Sequence, residues 1–218
     1  MSMKTQLPQI KLQAGLAIGY RQAIASLPED IFLPGGTHFL IARNGRGKTT
    51  LLRTLAKTLK QVAGSFVTEG KTQYLSEDLR FDPHMSVDGI FRAIVPAARQ
   101  EAARQLAKTT ELDLRKSYGQ LSTGNRRKTH LIVAEQAIAP DRANILLLDE
   151  PFSGLDAYSR EVFEQLWHNS PDQVLRLVSC HPDYDSMGMP STLVIQGNEI
   201  RHSTGPQQIW SQLKGQLN

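Results

Sequence analysis

The sequence predicts an α/β fold whose core is a mainly parallel sheet, and two stretches carry that prediction. Residues Ile145 to Asp156 read ILLLDEPFSGLD, in which an apolar run leads straight into Asp149 and Glu150. A short unbroken apolar run is the pattern of a strand buried on both faces, which places Ile145 to Leu148 in the middle of a parallel sheet. Far upstream, Ala42 to Thr50 read ARNGRGKTT, preceded by an apolar strand from His38 to Ala42. Leu51, Leu52, Leu55 and Leu59 follow at helical spacing, so a helix starts inside the loop and runs to about Lys60. Strand, glycine loop and helix in that order are the context a phosphate-binding loop requires. Carboxylates at the carboxyl end of such a strand lie where open α/β sheets bind ligands, and adjacent strand residues face opposite ways, so Asp149 and Glu150 can do different work.

Around these two stretches the elements follow in order. Ile10 to Leu40 alternate short apolar stretches with Gly19, Pro28 and the Pro34-Gly35-Gly36 cluster, which predicts several short, antiparallel strands. Ser65 to Thr68 and Gln73 to Leu75 are further strands. Ser86 is placed to cap a helix from Val87 to Ile94 that ends before Pro96, and Ala97 to Lys108 is a second helix. LSTGN, Leu121 to Asn125, leads into an apolar helix from about Arg126 to Ala139. Another helix follows Asp156 to about His168. Val174 to Ser179 is a buried strand that runs into Cys180-His181-Pro182, and Thr192 to Ile200 is a hairpin turning at Gly197-Asn198. Repeats and long linkers are not expected.

Composition bounds the answer without deciding it. The 218 residues suffice for one large domain with a substantial core, and 40% hydrophobic with 21% charged residues is ordinary globular composition. A single cysteine, Cys180, excludes an internal disulfide framework and suits a reducing cytosol. The opening MSMKTQLPQIK lacks the apolar centre of a signal peptide, and no apolar run approaches membrane-span length, so a membrane role calls for a separate partner. The net charge of +4 and pI near 9.3 fit nucleotide or anionic-membrane contact, but equally many proteins with neither.

The chemistry follows from the two stretches. Gly45 and Gly47 let the backbone wrap phosphate oxygens, and the helix N-terminus adds its dipole. Lys48 would reach the terminal phosphates, and the Thr49 hydroxyl would ligate magnesium. Asn44, Gly45, Arg46, Gly47, Lys48, Thr49 and Thr50 are therefore the candidate nucleotide contacts of the loop. The strict motif has glycine where this chain has Ala42; the added methyl fits if that residue keeps a negative φ. Asp149 would hold the magnesium ion, and Glu150 would polarise the attacking water. A Mg2+-dependent nucleotide hydrolase is the expected activity.

ARNGRGKTTL, LSTGN, ILLLDEPFSGLD and SCH, in that order, resemble the ATP-binding subunits of ABC transporters over nearly the whole chain. The resemblance implies a P-loop NTPase with a RecA-like, mainly parallel sheet, an N-terminal antiparallel β subdomain and an inserted helical subdomain at about residues 77–139, all within a single domain of residues 1–218. It implies that Tyr20 stacks on adenine, although a tyrosine half-buried in a strand fits the local sequence as well. Ser122, Thr123 and Gly124 would contact the γ-phosphate bound by the opposite subunit, Asp156 would link the two sites, and His181 would sense the γ-phosphate. Taken alone, LSTGN is only a capped helix start, although a helix N-terminus is itself an anion site. Three departures stand out. Glu77 occupies the place of a glutamine that reaches magnesium and water, where a carboxylate either coordinates or repels. Arg46 replaces a small residue, and Thr123 with Asn125 replace Gly and Gln.

The resemblance further implies a homodimer or heterodimer of such subunits closing on two ATP molecules. A separate membrane permease would be the partner, with the chain cytoplasmic and peripheral on the inner face of the membrane. The short helical segment, and the lack of a C-terminal regulatory extension, resemble compact exporter-type subunits such as those of heme-export systems. Two rivals stand beside this reading: a soluble ABC-type ATPase acting on nucleic acid or ribosomes, and a weakly hydrolysing regulatory subunit. Soluble relatives usually carry two ATP-binding domains or a coiled-coil insertion, which this chain lacks, so no direct nucleic-acid contact is expected.

Overall fold

The computed structural model describes residues 7–139, 141–169, 173–180 and 187–217. Within them the chain divides into two units, one of Met1–Tyr74, Asp141–Glu150 and Ser170–Asn218, the other of Leu75–Pro140 and Pro151–Asn169. In chain order the strands are β1 (Gln9–Leu12), β2 (Ala17–Gly19), β3 (Ala23–Ser26), β4 (Ile31–Leu33), β5 (Gly36–Ala42), β6 (Phe66–Glu69), β7 (Lys71–Leu75), β8 (Asn144–Leu148), β9 (Val174–Ser179), β10 (Ser191–Gln196) and β11 (Glu199–Thr204). The helices are α1 (Lys48–Leu55), α2 (Val87–Ile94), α3 (Gln100–Thr109), α4 (Thr123–Gln136), α5 (Ala157–His168) and α6 (Trp210–Lys214).

The first unit is built on an eight-stranded sheet in the order β2-β3-β11-β10-β5-β9-β8-β7. β10, β5, β9 and β8 run parallel, with Leu40 level with Ser179 and Leu148 level with Val178. β11 returns antiparallel along β10 through a turn at Gly197, whose φ of 59° is left-handed. The hairpin strands extend beyond the predicted Thr192–Ile200. β8 lies one strand in from the edge and not in the middle, which β5 and its neighbours occupy. All five of its residues are still buried, because β9 and β7 flank it and α1 packs against it.

The N-terminal antiparallel region is split between two sheets. β1 pairs with β4 and β6 in a separate three-stranded antiparallel sheet. Its period of two is clean: Ile10, Leu12, Ile31 and Leu33 are buried, while Lys11 and Phe32 are exposed. β2 and β3 also pair antiparallel, but β3 meets β11, and that contact ties the pair to the edge of the large sheet. Side chains of both sheets and of α1 form one core that includes Leu12, Leu33, Leu40, Leu52, Leu147 and Leu177. α1 stops at Leu55, short of Lys60, because Lys57 turns left-handed (φ 58°) and the Leu59 N–H folds back to the Arg53 carbonyl.

The second unit is helical. Ser86 caps α2 by accepting the Gly89 N–H at 3.1 Å, and the chain leaves the helix at Val95, ahead of Pro96. A 3₁₀ turn at Ala97–Arg99 precedes α3. α4 begins at Thr123, earlier than the predicted Arg126, because the Ser122 hydroxyl accepts the Asn125 N–H at 3.3 Å and makes LSTGN the opening of the helix. The buried Trp167 donates its indole N–H to Glu135 at 2.8 Å and stacks on Phe152. His130 is buried beside Phe81 and Tyr118, with its Nε2 2.7 Å from the Tyr118 hydroxyl.

Burial, reinforced by the charges of Arg127, Arg80 and Arg126, lowers the His130 pKa to about 4. The unfolded chain, with an ordinary His value of 6.5, therefore takes up this proton first on acidification, and His130 contributes a loss of stability between about pH 6.5 and pH 4. Urea midpoints at pH 7 and pH 5 should differ more for the natural chain than for His130→Leu. Equal differences would show that His130 is not held neutral by the fold.

Candidate functional site

β5 ends at Ala42, and the chain turns through Arg43–Gly47 into α1. Ala42 is a buried strand residue without positive φ, so its methyl is accommodated. Gly45 (φ 75°) and Gly47 (φ 105°) both take left-handed backbone. A Cβ on Gly47 would also lie 2.9 Å from the Ile24 side chain. Lys48 opens α1 and is buried to 8% exposure; its Nζ lies 3.3 Å from the Ala42 carbonyl and 3.3 Å from Glu150 Oε1. Asn44, Arg46 and Thr49 are exposed along the loop and first helical turn, and Thr50 is buried.

β8 delivers the acidic pair to the same place. Asp149 is buried, at 1% exposure, and Glu150 is half-buried with a left-handed φ of 46°. That backbone costs a non-glycine residue about 1–2 kcal/mol. The simple alternation expected of adjacent strand residues does not apply, because the strand ends at Leu148. The left-handed turn separates the carboxylates instead. Asp149 accepts from Ser179 Oγ at 2.8 Å and from the Tyr74 hydroxyl at 3.1 Å, while Glu150 reaches Lys48. The Glu150 N–H donates to Ser179 Oγ at 2.9 Å.

Carboxylate and hydroxyl oxygens from Asp149 and Thr49 are the hard donors magnesium takes. Among the described residues no group of three or more His, Cys, Asp or Glu is placed to hold a metal ion, so such an ion would complete its shell with phosphate and water oxygens, as magnesium does. The arrangement as a whole offers a phosphate cradle, a cation and two differently placed carboxylates.

Tyr20 lies on the chain between β2 and β3, is 64% exposed, and accepts a hydrogen bond from Arg53 of α1 at 3.3 Å. It is not the half-buried strand tyrosine that its local sequence also allowed. His181 falls outside the described residues.

In the second unit, Ser122 caps α4, and Thr123 and Gly124 form its first turn. A Cβ on Gly124 would lie 2.7 Å from the Gly154 carbonyl oxygen, so that position admits no side chain. Asp156 caps α5, accepting the Ser159 N–H at 2.7 Å and its hydroxyl at 3.0 Å. The buried Lys128 of α4 reaches Asp156 Oδ2 and the Thr110 carbonyl, each at 2.9 Å. Glu77 lies in an exposed turn just past β7, with its carbonyl 3.5 Å from Arg80 Nη1.

Four contributors were not picked out from the sequence: Tyr74, Ser179, Lys128 and Arg53. A hydroxyl closing the apolar strand Val174–Ser179 was a usable signal; Lys128, inside the basic run RRK, was not.

A parallel sheet carrying a glycine loop, a following helix and an acidic strand end defines a P-loop nucleotide-binding fold. The family described as "ABC transporter" matches residues 32–153, and this chain belongs to it. The cytochrome c biogenesis ATP-binding export protein CcmA of Zymomonas mobilis is 31% identical over 157 residues, covering 69% of this chain and 68% of that protein. The aliphatic sulfonates import ATP-binding protein SsuB 1 of Burkholderia cenocepacia is 29% identical over 170 residues, 72% of this chain and 52% of its own length. Against several curated relatives the chain spans only about half of their length, 47% for YtrB of Bacillus subtilis. In fold it is similar to an ABC transporter ATP-binding protein of Pyrococcus furiosus, with a TM-score of 0.72 at 21% identity over 86% of this chain and 97% of that one.

The Lys128 ammonium, together with the Ser159 N–H, lowers the Asp156 carboxyl to about 2 from an ordinary 3.8. The depressed value means that Asp156 contributes stability in full above about pH 3.8, and that this is lost as the pH falls through about 2. Carboxyl NMR should place the Asp156 midpoint near 2, and in Lys128→Met the midpoint should rise towards 3.8. An unchanged midpoint would remove Lys128 from this role.

Proposed function

We propose that this chain is the ATP-binding and ATP-hydrolysing subunit of an ABC transporter, acting in pairs to drive a separate membrane permease. The observation that carries the reading is the meeting of Lys48 and Glu150, 3.3 Å apart, beside the buried Asp149 at the end of the sheet.

The backbone N–H groups of the loop bind the β- and γ-phosphates, with Lys48 turning its ammonium to them. Tyr20, its hydroxyl held by Arg53, presents a ring face to adenine. Thr49 and Asp149 would hold a magnesium ion, which would neutralise phosphate charge. Glu150 accepts a proton from water as the water oxygen bonds to the γ-phosphorus, and the bond to the β-phosphate oxygen breaks, leaving ADP and inorganic phosphate. Ser122, Thr123 and Gly124 of the opposing copy complete the phosphate shell, Asp156 links the two sites, and His181 senses the γ-phosphate. ATP stabilises the closed pair because its γ-phosphate touches both halves, and its loss lets them part. No helix among the described residues is long and apolar enough to cross a membrane; the proposed place is peripheral, against a permease on the cytoplasmic face.

Lys48→Ala should weaken ATP binding on the order of 100-fold, about 2.7 kcal/mol, in a direct titration. Unchanged affinity would rule out the phosphate-loop reading. Glu150→Gln should keep binding but lose turnover on the order of 100-fold or more. It should also double in mass on sizing when ATP is present, and a persistent monomer would sink the paired model.

A further inference from the structure

We propose that Ser179 is a positioning residue that sets the acidic pair, holding Asp149 and the backbone of Glu150 with one hydroxyl. The inference rests on the proposed function for its meaning, but the geometry stands alone. β9 lies between β5 and β8, and the parallel register Leu148 to Val178 brings the next residues, Asp149 and Ser179, to the same level. Ser179 is also level with Leu40, two residues before the phosphate loop begins at Ala42. Its side chain is fully buried, at 0% exposure.

The direction of both hydrogen bonds is fixed by donor counting. The Glu150 amide can only donate, so Ser179 Oγ accepts it at 2.9 Å. The single hydroxyl hydrogen is then committed to Asp149 Oδ1 at 2.8 Å, because a carboxylate can only accept. β8 ends at Leu148 and Glu150 is left-handed, so the chain turns here, and the serine hydroxyl is a partner for the Glu150 N–H within that turn. That turn sends the Glu150 carboxylate to Lys48 while Asp149 stays buried against Ser179 and Tyr74. One hydroxyl thus gives the two neighbouring carboxylates their separate positions, metal-facing and water-facing.

Removing it should loosen both carboxylates without disturbing the phosphate cradle. Ser179→Ala should lower kcat by about 10–100-fold, the range found when groups supporting metal ligands are lost, and raise the Mn2+ concentration for half-maximal turnover about tenfold. Its affinity for ATP without divalent ion, set by the loop, should stay within about threefold. Ser179→Thr, which keeps the hydroxyl, should restore turnover to within about fivefold, while Ser179→Cys, which keeps the volume but donates weakly, should resemble the alanine variant. Full turnover in Ser179→Ala or Ser179→Cys would overturn the proposal, as would parallel loss of metal-free ATP binding. If Ser179→Ala does not fold, the threonine and cysteine pair decides. If the natural chain binds but does not hydrolyse ATP, the proposed function fails while this inference is judged by Mn2+ affinity of the ATP complex: weaker in Ser179→Cys supports it, unchanged overturns it.

Discussion

Parallel pairing of β5, β9 and β8 is the constraint on which the candidate site depends. Each strand ends where its neighbour's chemistry begins: β5 in the glycine loop, β9 in Ser179, β8 in the acidic pair. A slip of one residue would turn every side chain on the moved strand to the other face, so burial of Leu40, Leu147 and Leu177 in one core fixes the register that brings polar groups together. The apolar interior thereby specifies the polar site, and α1, packed on β5 and β8, carries Lys48 to it.

Energetics at that site favour exchange over permanence. The Lys48–Glu150 pair gains about 5 kcal/mol of attraction at an effective dielectric of about 20, yet both side chains are largely desolvated, which costs several kcal/mol for each ion. The attraction therefore leaves no large net gain. Such a pair keeps both charges satisfied without locking them together, which suits the phosphate-binding role proposed for Lys48.

The parts legible in the sequence were those whose signal is local. Gly45 and Gly47 announce a turn because only glycine adopts that backbone readily, and Ile145–Leu148 announce a buried strand because no polar residue interrupts them. Ser86 gave the start of α2 and Pro96 its end, because a cap and a proline are both local signals. What was hidden depends on long-range pairing. Ser179 meets Asp149 across 30 residues of chain, and Lys128 of α4 meets Asp156 only after the chain has passed through β8. LSTGN was legible as a capped helix start, and the Ser122 to Asn125 hydrogen bond bears that out; only the first helical residue lies earlier, at Thr123, than the apolar pattern from about Arg126 suggested. The place of β8 near the sheet edge was equally invisible, since neighbouring strands on both sides bury a strand as well as a central position does.

The close approach of Gly124 to the Gly154 carbonyl, with Lys128 tied to Asp156, has a mechanical meaning. The start of α4 and the turn leading into α5 approach closely at Gly124 and Gly154, and the Lys128–Asp156 ion pair joins the same two elements. A side chain at position 124 would wedge them apart, so this corner owes its packing to a missing methyl as much as to the charges beside it.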